Sequence, residues 1–254
     1  MKKIAIYRCL FNDYDYFLKD LNIIPNADYF IFTDNKSLDV SPYKKILVES
    51  KERNPSLDNR NIKIKVPLEL ANYETTIYLD TNISIIGDIN ILINEFDSSK
   101  SEIGLFKHPY HNNLYDDVDL CIKANKANKE TLKKEISFYK DLNLKIKDNF
   151  SDNSIIFRKK QSANMLKAMD FWMDLVLEFS GRDQLSLPIV RSKFDLNEHF
   201  FNFSPRTKKN SFFIVFPHKA HFSNFAIFKW SKFYVRFIYR LMQRHYNFYK
   251  NTSK

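Results

Sequence analysis

Glycine and cysteine are both scarce in this sequence. Only three of its 254 residues are glycines, so the chain has no glycine-rich N-terminal loop of the kind that nucleotidyltransferases carry. Its two cysteines, Cys9 and Cys121, lie far apart, without a Cys-x-x-Cys pair or a cluster of cysteine and histidine. The sequence therefore predicts neither a disulfide framework nor a zinc site, and we expect two buried free thiols.

Long hydrophobic runs are also missing. No stretch has the length and apolar character of a transmembrane helix, because charged side chains interrupt each candidate. The N-terminus carries two lysines and then a short apolar run that ends at Arg8, so it lacks the hydrophobic region of a secretory signal. We therefore expect a cytoplasmic protein. Its 44% hydrophobic content suits one large domain, predicted over residues 1–222, with a tail over residues 223–254.

Acidic side chains are absent from the C-terminal part of the chain. Residues 199–254 hold 11 lysines and arginines and no aspartate or glutamate, which leaves 29 basic against 30 acidic side chains in residues 1–198. The net charge of +10 therefore belongs to the end of the chain, and the body lacks the basic surface that a nucleic-acid-binding domain needs.

Short β-branched and aromatic runs alternate with longer segments of helical periodicity. The helical segments are residues 163–179 and residues 114–139, the latter with a polar break near residues 125–128, while residues 60–72 fit either helix or strand. This alternation predicts an α/β fold with a mainly parallel central sheet flanked by helices. The predicted strands are residues 3–10, 28–33, 45–49, 75–79, 102–106 and 154–157.

A carboxylate and an amide follow the apolar run 75–79. Asp80 and Asn82 flank Thr81, so two oxygen-bearing side chains two residues apart can face one cation. In an open α/β sheet, ligands bind at the carboxyl ends of the strands. Mg²⁺ and Mn²⁺ prefer oxygen ligands and share them with substrate phosphates. The triplet therefore predicts a metal site that would stabilise a departing nucleoside diphosphate.

Two other interpretations of this triplet exist. Asp-x-Asn is common in turns, so it can be an ordinary turn. A phosphatase of the haloacid dehalogenase type also places an aspartate after an apolar strand. Such a phosphatase needs a second aspartate two residues later as acid and base, and Asn82 cannot donate that proton.

Five short motifs in register extend the pattern. In order and spacing they resemble the glycosyltransferase-like domain family found in bacterial polysaccharide loci and plant cell-wall proteins. The resemblance implies a GT-A fold in which Asp-x-Asn replaces the usual Asp-x-Asp metal-binding element. The motifs are Tyr7-Arg-Cys-Leu-Phe-Asn-Asp-Tyr-Asp15, Phe30-Ile-Phe-Thr-Asp34, Tyr78-Leu-Asp-Thr-Asn-Ile83, Lys107-His-Pro109 and Gly181-Arg-Asp-Gln-Leu-Ser186.

The same resemblance implies residues that bind the donor. Asp34, after the second strand, would lie near the nucleotide base or ribose. Arg60 and Lys63 would contact the sugar nucleotide together with Asp80, and their positive charges suit a diphosphate. The alternative for Arg60 and Lys63 is a solvated basic face.

Asp183 and Gln184 open a short apolar helix-like run, where N–H groups and the helix dipole favour a carboxylate. Asp183 can therefore be only a helix cap. The pair also resembles the dyad that lines the donor-sugar and acceptor site of retaining galactosyltransferases. By that resemblance Asp183 would bind sugar hydroxyls or orient the acceptor, and Gln184 would lie on the reactive face of the sugar. If the reaction inverts, Asp183 is the candidate general base.

Histidines supply the remaining candidate metal ligands. A late histidine often completes the metal shell of GT-A enzymes, and His218 ranks first, ahead of His108 and His221, with structural or surface roles as the alternative. After the Lys-His-Pro motif the family pattern has an arginine and a glutamate-rich stretch. This chain has His111 and two aspartates there instead.

Residues 226–249 have the pattern of a basic amphipathic helix. Steps of about 100° per residue place the basic side chains in one arc and the aromatic and aliphatic ones opposite. Such a helix can lie in the headgroup region of an anionic membrane. Docking of its apolar face on the domain and a calmodulin-type or nucleic-acid-binding role are the alternatives. The basic residues are Lys229, Lys232, Arg236, Arg240 and Arg244.

Together these features predict a metal-assisted glycosyltransferase, cytoplasmic and peripheral on the inner face of the membrane. It would transfer a hexose from a nucleoside-diphosphate sugar, with Mn²⁺ or Mg²⁺, to a glycan or lipid-linked acceptor of a surface polysaccharide such as capsule or lipooligosaccharide. No nucleic-acid partner is expected. The alternative is a non-catalytic protein whose basic tail binds anionic lipid or nucleic acid.

Overall fold

The computed structural model of the protein describes residues 3–50, 54–123, 127–147, 149–207 and 210–219. Packing divides the chain into a first unit, Met1–Phe216, and a second unit, Pro217–Lys254. All helices and strands named below lie in the first unit. The predicted tail helix over residues 226–249 and the predicted domain boundary after residue 222 lie outside the described residues.

Strands and helices alternate along the described residues. The strands are β1 (Ile4–Leu10), β2 (Ala27–Thr33), β3 (Lys44–Leu47), β4 (Thr75–Leu79), β5 (Ile83–Ile85), β6 (Ile103–Lys107), β7 (Ser151–Lys159), β8 (Glu198–Phe201) and β9 (Phe213–Val215). The helices are α1 (Pro55–Ile64), α2 (Asn90–Ser98), α3 (Leu114–Lys123), α4 (Lys129–Asp141), α5 (Ala163–Glu178) and α6 (Asp183–Lys193), and a 3₁₀ helix spans Leu68–Leu70.

Seven of these strands form one sheet in the order β3-β2-β1-β4-β7-β6-β8. The first four are mutually parallel, and β8 runs parallel to β6. Strand β7 is antiparallel to both of its neighbours, β4 and β6. A separate antiparallel ribbon pairs β5 with β9. The carboxyl ends of β1, β2 and β4 therefore meet at one edge, together with the start of β7.

The core has two halves, one on each face of the sheet. Successive side chains of a strand point to opposite faces, so Tyr7 and Cys9 of β1 join one apolar cluster while Ile6 and Leu10 join the other. The first cluster contains buried side chains of α1, α3, α4, α5 and α6, and the second contains those of α2 and the β5-β9 ribbon. The sheet is thus covered on both faces.

Helix α1 begins and ends with well-defined contacts. The Asn54 side chain accepts the N–H of Ser56 at 3.0 Å, and Pro55 occupies the first turn, where its missing N–H costs nothing. At the other end, the guanidinium of Arg158 in β7 donates to the carbonyl of Lys63 at 3.0 Å. A cation at a helix C-terminus also complements the helix dipole. These contacts fix the helix that carries Arg60 and Lys63 toward the sheet edge.

The predicted fold class is confirmed: the protein is a mixed α/β structure with a mostly parallel central sheet flanked by helices. The ambiguous segment 60–72 forms the end of α1 and the 3₁₀ helix. The predicted helices and their break near residues 125–128 are present, although the break lies partly outside the described residues. Strands β5, β8 and β9 were not among the predicted strands.

Cys9 and Cys121 are both buried, as predicted. In the described part of the chain, no helix combines the length and the hydropathy that crossing a bilayer requires.

Candidate active site

The backbone at Asp80 is held on both sides where β4 ends. Its N–H donates to the carbonyl of Ser154 in β7 at 2.9 Å. Its carbonyl accepts from the fully buried guanidinium of Arg8 at 3.3 Å, and Arg8 also donates to the carbonyl of Ile83. The charge of Arg8 is neutralised by Asp20 at 2.6 Å. The sequence shows Arg8 only as the end of an apolar run, and its role in shaping this turn was not predicted.

The Asp80 carboxylate is half-buried at the sheet edge. The hydroxyl of Tyr78 donates to its Oδ1 at 2.8 Å, and Nζ of Lys63 lies 3.8 Å from the same oxygen. Both contacts use Oδ1, so Oδ2 is the oxygen that an incoming cation would meet first.

Lys63 joins the two carboxylates that the sequence singled out. Its Nζ lies 2.7 Å from Oδ2 of Asp183, as well as 3.8 Å from Asp80. Nε of Arg60, one turn earlier in α1, lies 3.5 Å from Oδ1 of Asp183. The side chains of Lys63 and Asp183 are only 9% and 12% exposed, so this ion pair is nearly dry. Residues from β4, α1 and α6 thus converge at one point.

The ionisation of Asp183 is controlled by these two cations. Burial alone would raise the pKa of its carboxyl, but the charges of Lys63 and then Arg60 outweigh burial and hold the pKa well below its usual range. Asp183 does lie at the first position of α6, as predicted. Its carboxylate is stabilised by side chains of α1, however, whereas the sequence suggested the N–H groups of its own helix.

Asn82 is completely buried. Its Nδ2 donates to the carbonyl of Phe216 at 2.5 Å, which orients the amide group. Among the described residues, its Oδ1 has no hydrogen-bond partner. A buried amide oxygen without a partner is costly, so this atom fits a ligand from outside the chain. Because the ligand set at this turn is a carboxylate and an amide oxygen, it suits a hard divalent cation.

Asp34 follows β2 at the same edge of the sheet. Its two oxygens accept the N–H of Asn12 at 3.0 and 3.1 Å. Asn12 and Asp13 both adopt positive φ angles, near 50° and 46°, so Asp34 stabilises a turn that is uncommon for these residues. The predicted contact with a nucleotide stays a prediction, and the observed contact is structural.

Gln184 is half-buried at the second position of α6. Pro188, four residues later in the same helix, has no N–H to donate to the Gln184 carbonyl. The usual helical hydrogen bond from residue 188 to the Gln184 carbonyl is therefore missing in the first turns of α6.

Arg206 is a cation beside the start of β7 that the sequence did not single out. Its Nε lies 2.7 Å from Oδ2 of the buried Asp152, at the start of β7. The negative charges of Asp152 and then Asp80 raise the pKa of Arg206, whose side chain is 34% exposed. Arg206 lies in a turn outside the helices and strands, so no periodicity or motif marks it.

A further polar cluster lies beyond the end of β6 and contains three side chains. His108, His111 and Asp117 bring possible metal-ligand atoms within 4.8 Å of one another. However, Nδ1 of His108 already accepts the N–H of His111 at 2.9 Å, and Nδ1 of His111 lies 3.2 Å from Asp117. Burial also lowers the pKa of His108. The contacts within this cluster therefore stabilise the loop between β6 and α3. The predicted ligand His218 belongs to the second unit and stays a prediction.

A cavity of about 690 Å³ lies beside α1 and α5. Its wall is mainly apolar, with Phe32 and Met169 among its residues, and its rim carries the ion pair of Lys65 and Asp170. Neither Asp80 nor Asp183 lines it. We assign the chemistry to the carboxylate edge, because that edge holds the paired charges and the unpartnered buried oxygen.

Comparison with known proteins identifies the family. A family model described as TOD1/MUCI70, glycosyltransferase-like domain, matches residues 63–218, which is more than half of the chain. This range begins at Lys63 and includes Asp80, Asp183 and Arg206, so it covers most of the site. A search of curated proteins finds no match. The chain belongs to the TOD1/MUCI70 family of glycosyltransferase-like domains.

Proposed function

We propose that the protein is a GT-A type glycosyltransferase that transfers a hexose from a nucleoside-diphosphate sugar to a glycan or lipid-linked acceptor. The observation that carries this proposal is the convergence of Asp80 and Asp183 on the ammonium of Lys63 at the carboxyl edge of the sheet. Ligands of open α/β sheets bind at this edge. The mixed sheet with helices on both faces supports the GT-A assignment.

We propose that Asp80 and Asn82 hold Mn²⁺ or Mg²⁺, with His218 as a further predicted ligand. Oδ2 of Asp80 and the unpartnered Oδ1 of Asn82 provide two oxygens for such an ion. When bound, the ion supplies charge stabilisation to the departing diphosphate. Lys63 lies only 3.8 Å from Asp80, so its ammonium opposes a lone cation there. We therefore expect the ion and the diphosphate to bind together.

The basic side chains around Asp80 match the charge of a diphosphate. Lys63 and Arg60 are fixed on α1, and Arg206 is fixed by Asp152. Fixed donors stabilise developing negative charge without reorganising during the reaction. We propose that Lys63 and Arg206 contact the diphosphate of the donor and that Arg60 keeps Asp183 ionised.

Asp183 is better suited to binding sugar hydroxyls than to removing a proton. A carboxylate whose pKa is held well below its usual range is a weak base. It remains a strong hydrogen-bond acceptor, and Gln184 follows it at the second position of α6. Asp183 and Gln184 together would position the donor sugar and the acceptor.

Hydrolysis of a panel of nucleotide sugars with Mn²⁺, with and without EDTA, tests the proposal. We expect hydrolysis of at least one donor and its loss in EDTA. Failure of the wild-type protein to bind or hydrolyse any of the donors would refute the proposal.

We further propose that the enzyme works on the cytoplasmic face of a membrane in the synthesis of a surface polysaccharide. The support is the sequence of residues 226–249, whose basic and aromatic side chains alternate with helical spacing. Flotation of the full chain with vesicles containing anionic lipid, compared with neutral vesicles, tests this proposal. Equal recovery with both kinds of vesicle would contradict it.

A further inference from the structure

One aromatic side chain near the site is strongly exposed. Tyr110 has 81% of its surface open to solvent, and it lies in the loop between β6 and α3. A single exposed aromatic residue on a protein surface needs no functional explanation. Tyr110 differs from such a residue because of how its loop is held and where the loop lies.

The loop that carries Tyr110 is anchored on both sides. The N–H of His108 donates to the carbonyl of Phe150 at 2.9 Å. Nδ1 of His108 accepts the N–H of His111, which closes a tight turn around Tyr110. At the far end, the Asn113 side chain accepts two N–H groups of the first turn of α3. Tyr110 is therefore displayed at the tip of a fixed turn.

The turn lies at the edge of the sheet where Asp80 lies. Strand β7 separates β4 from β6, and the end of β6 pairs with the start of β7 at Lys107 and Ser151. Across the sheet, β4 and β6 are two strand spacings of about 5 Å apart, so roughly 10 Å, the span of one or two sugar rings, separates the two strands. At the start of β7, between β4 and β6, Asp152 pairs with Arg206 at 2.7 Å. Tyr110 thus belongs to the same edge of the sheet as Asp80 and Arg206, on the side of β6.

An exposed ring on a fixed turn is a suitable surface for a sugar. One face of a pyranose presents C–H groups, whose slight positive charge matches the negative face of an aromatic ring. A tyrosine gives this contact area at low entropic cost, since it has only two side-chain torsions. A fixed turn lowers the cost of binding further. A stacked sugar would displace the water that now covers the exposed ring.

We propose that Tyr110 is the stacking platform for the acceptor sugar, placing a glycan ring next to the carboxylate edge. This inference rests on the proposed glycosyltransferase activity. Tyr110 would position the carbohydrate acceptor and would not contact the donor.

Transfer to simple glycosides tests the platform. The assay measures transfer to methyl glycosides of glucose, galactose and N-acetylglucosamine. It compares four proteins: the wild type, Tyr110→Ala, Tyr110→Phe and the control Tyr115→Ala. Tyr115 is a second exposed tyrosine, on α3. We expect Tyr110→Ala to raise the acceptor KM about tenfold, which corresponds to about 1.4 kcal/mol of lost stacking, while Tyr110→Phe and Tyr115→Ala stay near wild type. Donor hydrolysis without acceptor should not change.

The results separate the two proposals. Absence of donor hydrolysis in the wild type would refute the glycosyltransferase proposal and the platform with it. Normal hydrolysis with an unchanged acceptor KM in Tyr110→Ala would refute the platform alone, and so would an equal effect of Tyr115→Ala. A Tyr110→Phe variant as poor as Tyr110→Ala would show that the hydroxyl, and not the ring, binds the acceptor. Hydrolysis without transfer to any glycoside also counts against the platform.

Discussion

Nζ of Lys63 lies 2.7 Å from Oδ2 of Asp183, and this contact joins the last turn of α1 to the first residue of α6. Both side chains are nearly buried, and Arg60 lies on the other carboxylate oxygen. A buried pair of this kind is costly to break from one side, because the remaining charge stays out of water. The contact therefore has consequences for stability as well as for binding.

Lys63→Ala should lower the free energy of unfolding by about 3 kcal/mol, the low end for a broken buried pair, because Arg60 still faces Asp183. Urea denaturation at neutral pH measures the change. The control is Lys65→Ala, which removes a more exposed pair with Asp170 and should cost less than about 1 kcal/mol. If the two variants have equal free energies of unfolding, the buried contact of Lys63 contributes no more to stability than the exposed pair of Lys65.

The low pKa of Asp183 predicts a pH-dependent stability. Its folded pKa lies below the unfolded value of about 3.9, so its contribution is present above that pH and is lost as pH falls toward the folded pKa. Wild type should therefore lose stability more steeply than Asp183→Asn below about pH 4. Urea denaturation between about pH 3 and pH 6 compares them.

The control for this comparison is Asp195→Asn, which removes an exposed ion pair with Lys147. Its pH profile should follow that of the wild type closely, because solvent screens the pair. Parallel profiles for the wild type and Asp183→Asn would contradict the assignment of a low pKa to Asp183.

Replacing Asn82 by aspartate, which would complete an Asp-x-Asp triplet, should lower the stability of the metal-free protein. In Asn82→Asp a carboxylate oxygen would replace Nδ2, which now donates to the Phe216 carbonyl at 2.5 Å. Two acceptors would then face each other in a buried place, at a cost of about 1–3 kcal/mol. Urea denaturation without metal measures this loss, with the exposed Asn94→Asp on α2 as the control. An Asn82→Asp variant as stable as the wild type would contradict the orientation of the Asn82 amide.

Arg206 should contribute to hydrolysis of the donor, although no sequence motif contains this residue. We expect Arg206→Ala to lower kcat/KM for donor hydrolysis about a hundredfold, the low end of the effect of removing one fixed hydrogen-bond donor from a reaction centre. Because this change also leaves Asp152 unpaired, the Arg206→Ala/Asp152→Asn double variant is the control for folding. The double variant should regain stability without regaining activity. Recovery of activity would mean that Arg206 only neutralises Asp152.

The sequence was sufficient for those parts of the fold that depend on local pattern. Strand β4 occupies the predicted range, and α5 and the two helices α3 and α4 lie where their periodicity placed them. The direction of β7 could not be predicted, because alternation of side chains is the same in parallel and antiparallel strands. Strands β8 and β9 are short, four and three residues, and their pairing depends on partners far away in the chain.

The sequence singled out several residues that the structure brings together, but it did not predict how they pair. Asp80, Lys63 and Asp183 were singled out, and the structure brings them together. Their mutual pairing was not predicted, since it depends on how α1 packs against the sheet and α5. Arg8 and Arg206 were not predicted as site residues, because a buried or turn-bound arginine looks the same in sequence as an exposed one.

Hydrolysis of nucleotide sugars by Asp80→Ala tests the central claim most directly. The assay uses Mn²⁺ and the donor that the wild type hydrolyses fastest, with Asp174→Ala, an exposed change on α5, as the matched control. Urea denaturation of each variant confirms that it is folded. We predict a loss of at least about a hundredfold in Asp80→Ala and wild-type activity in Asp174→Ala. Full activity of a folded Asp80→Ala, unaffected by EDTA, would contradict the assignment of the metal and donor site to this edge of the sheet.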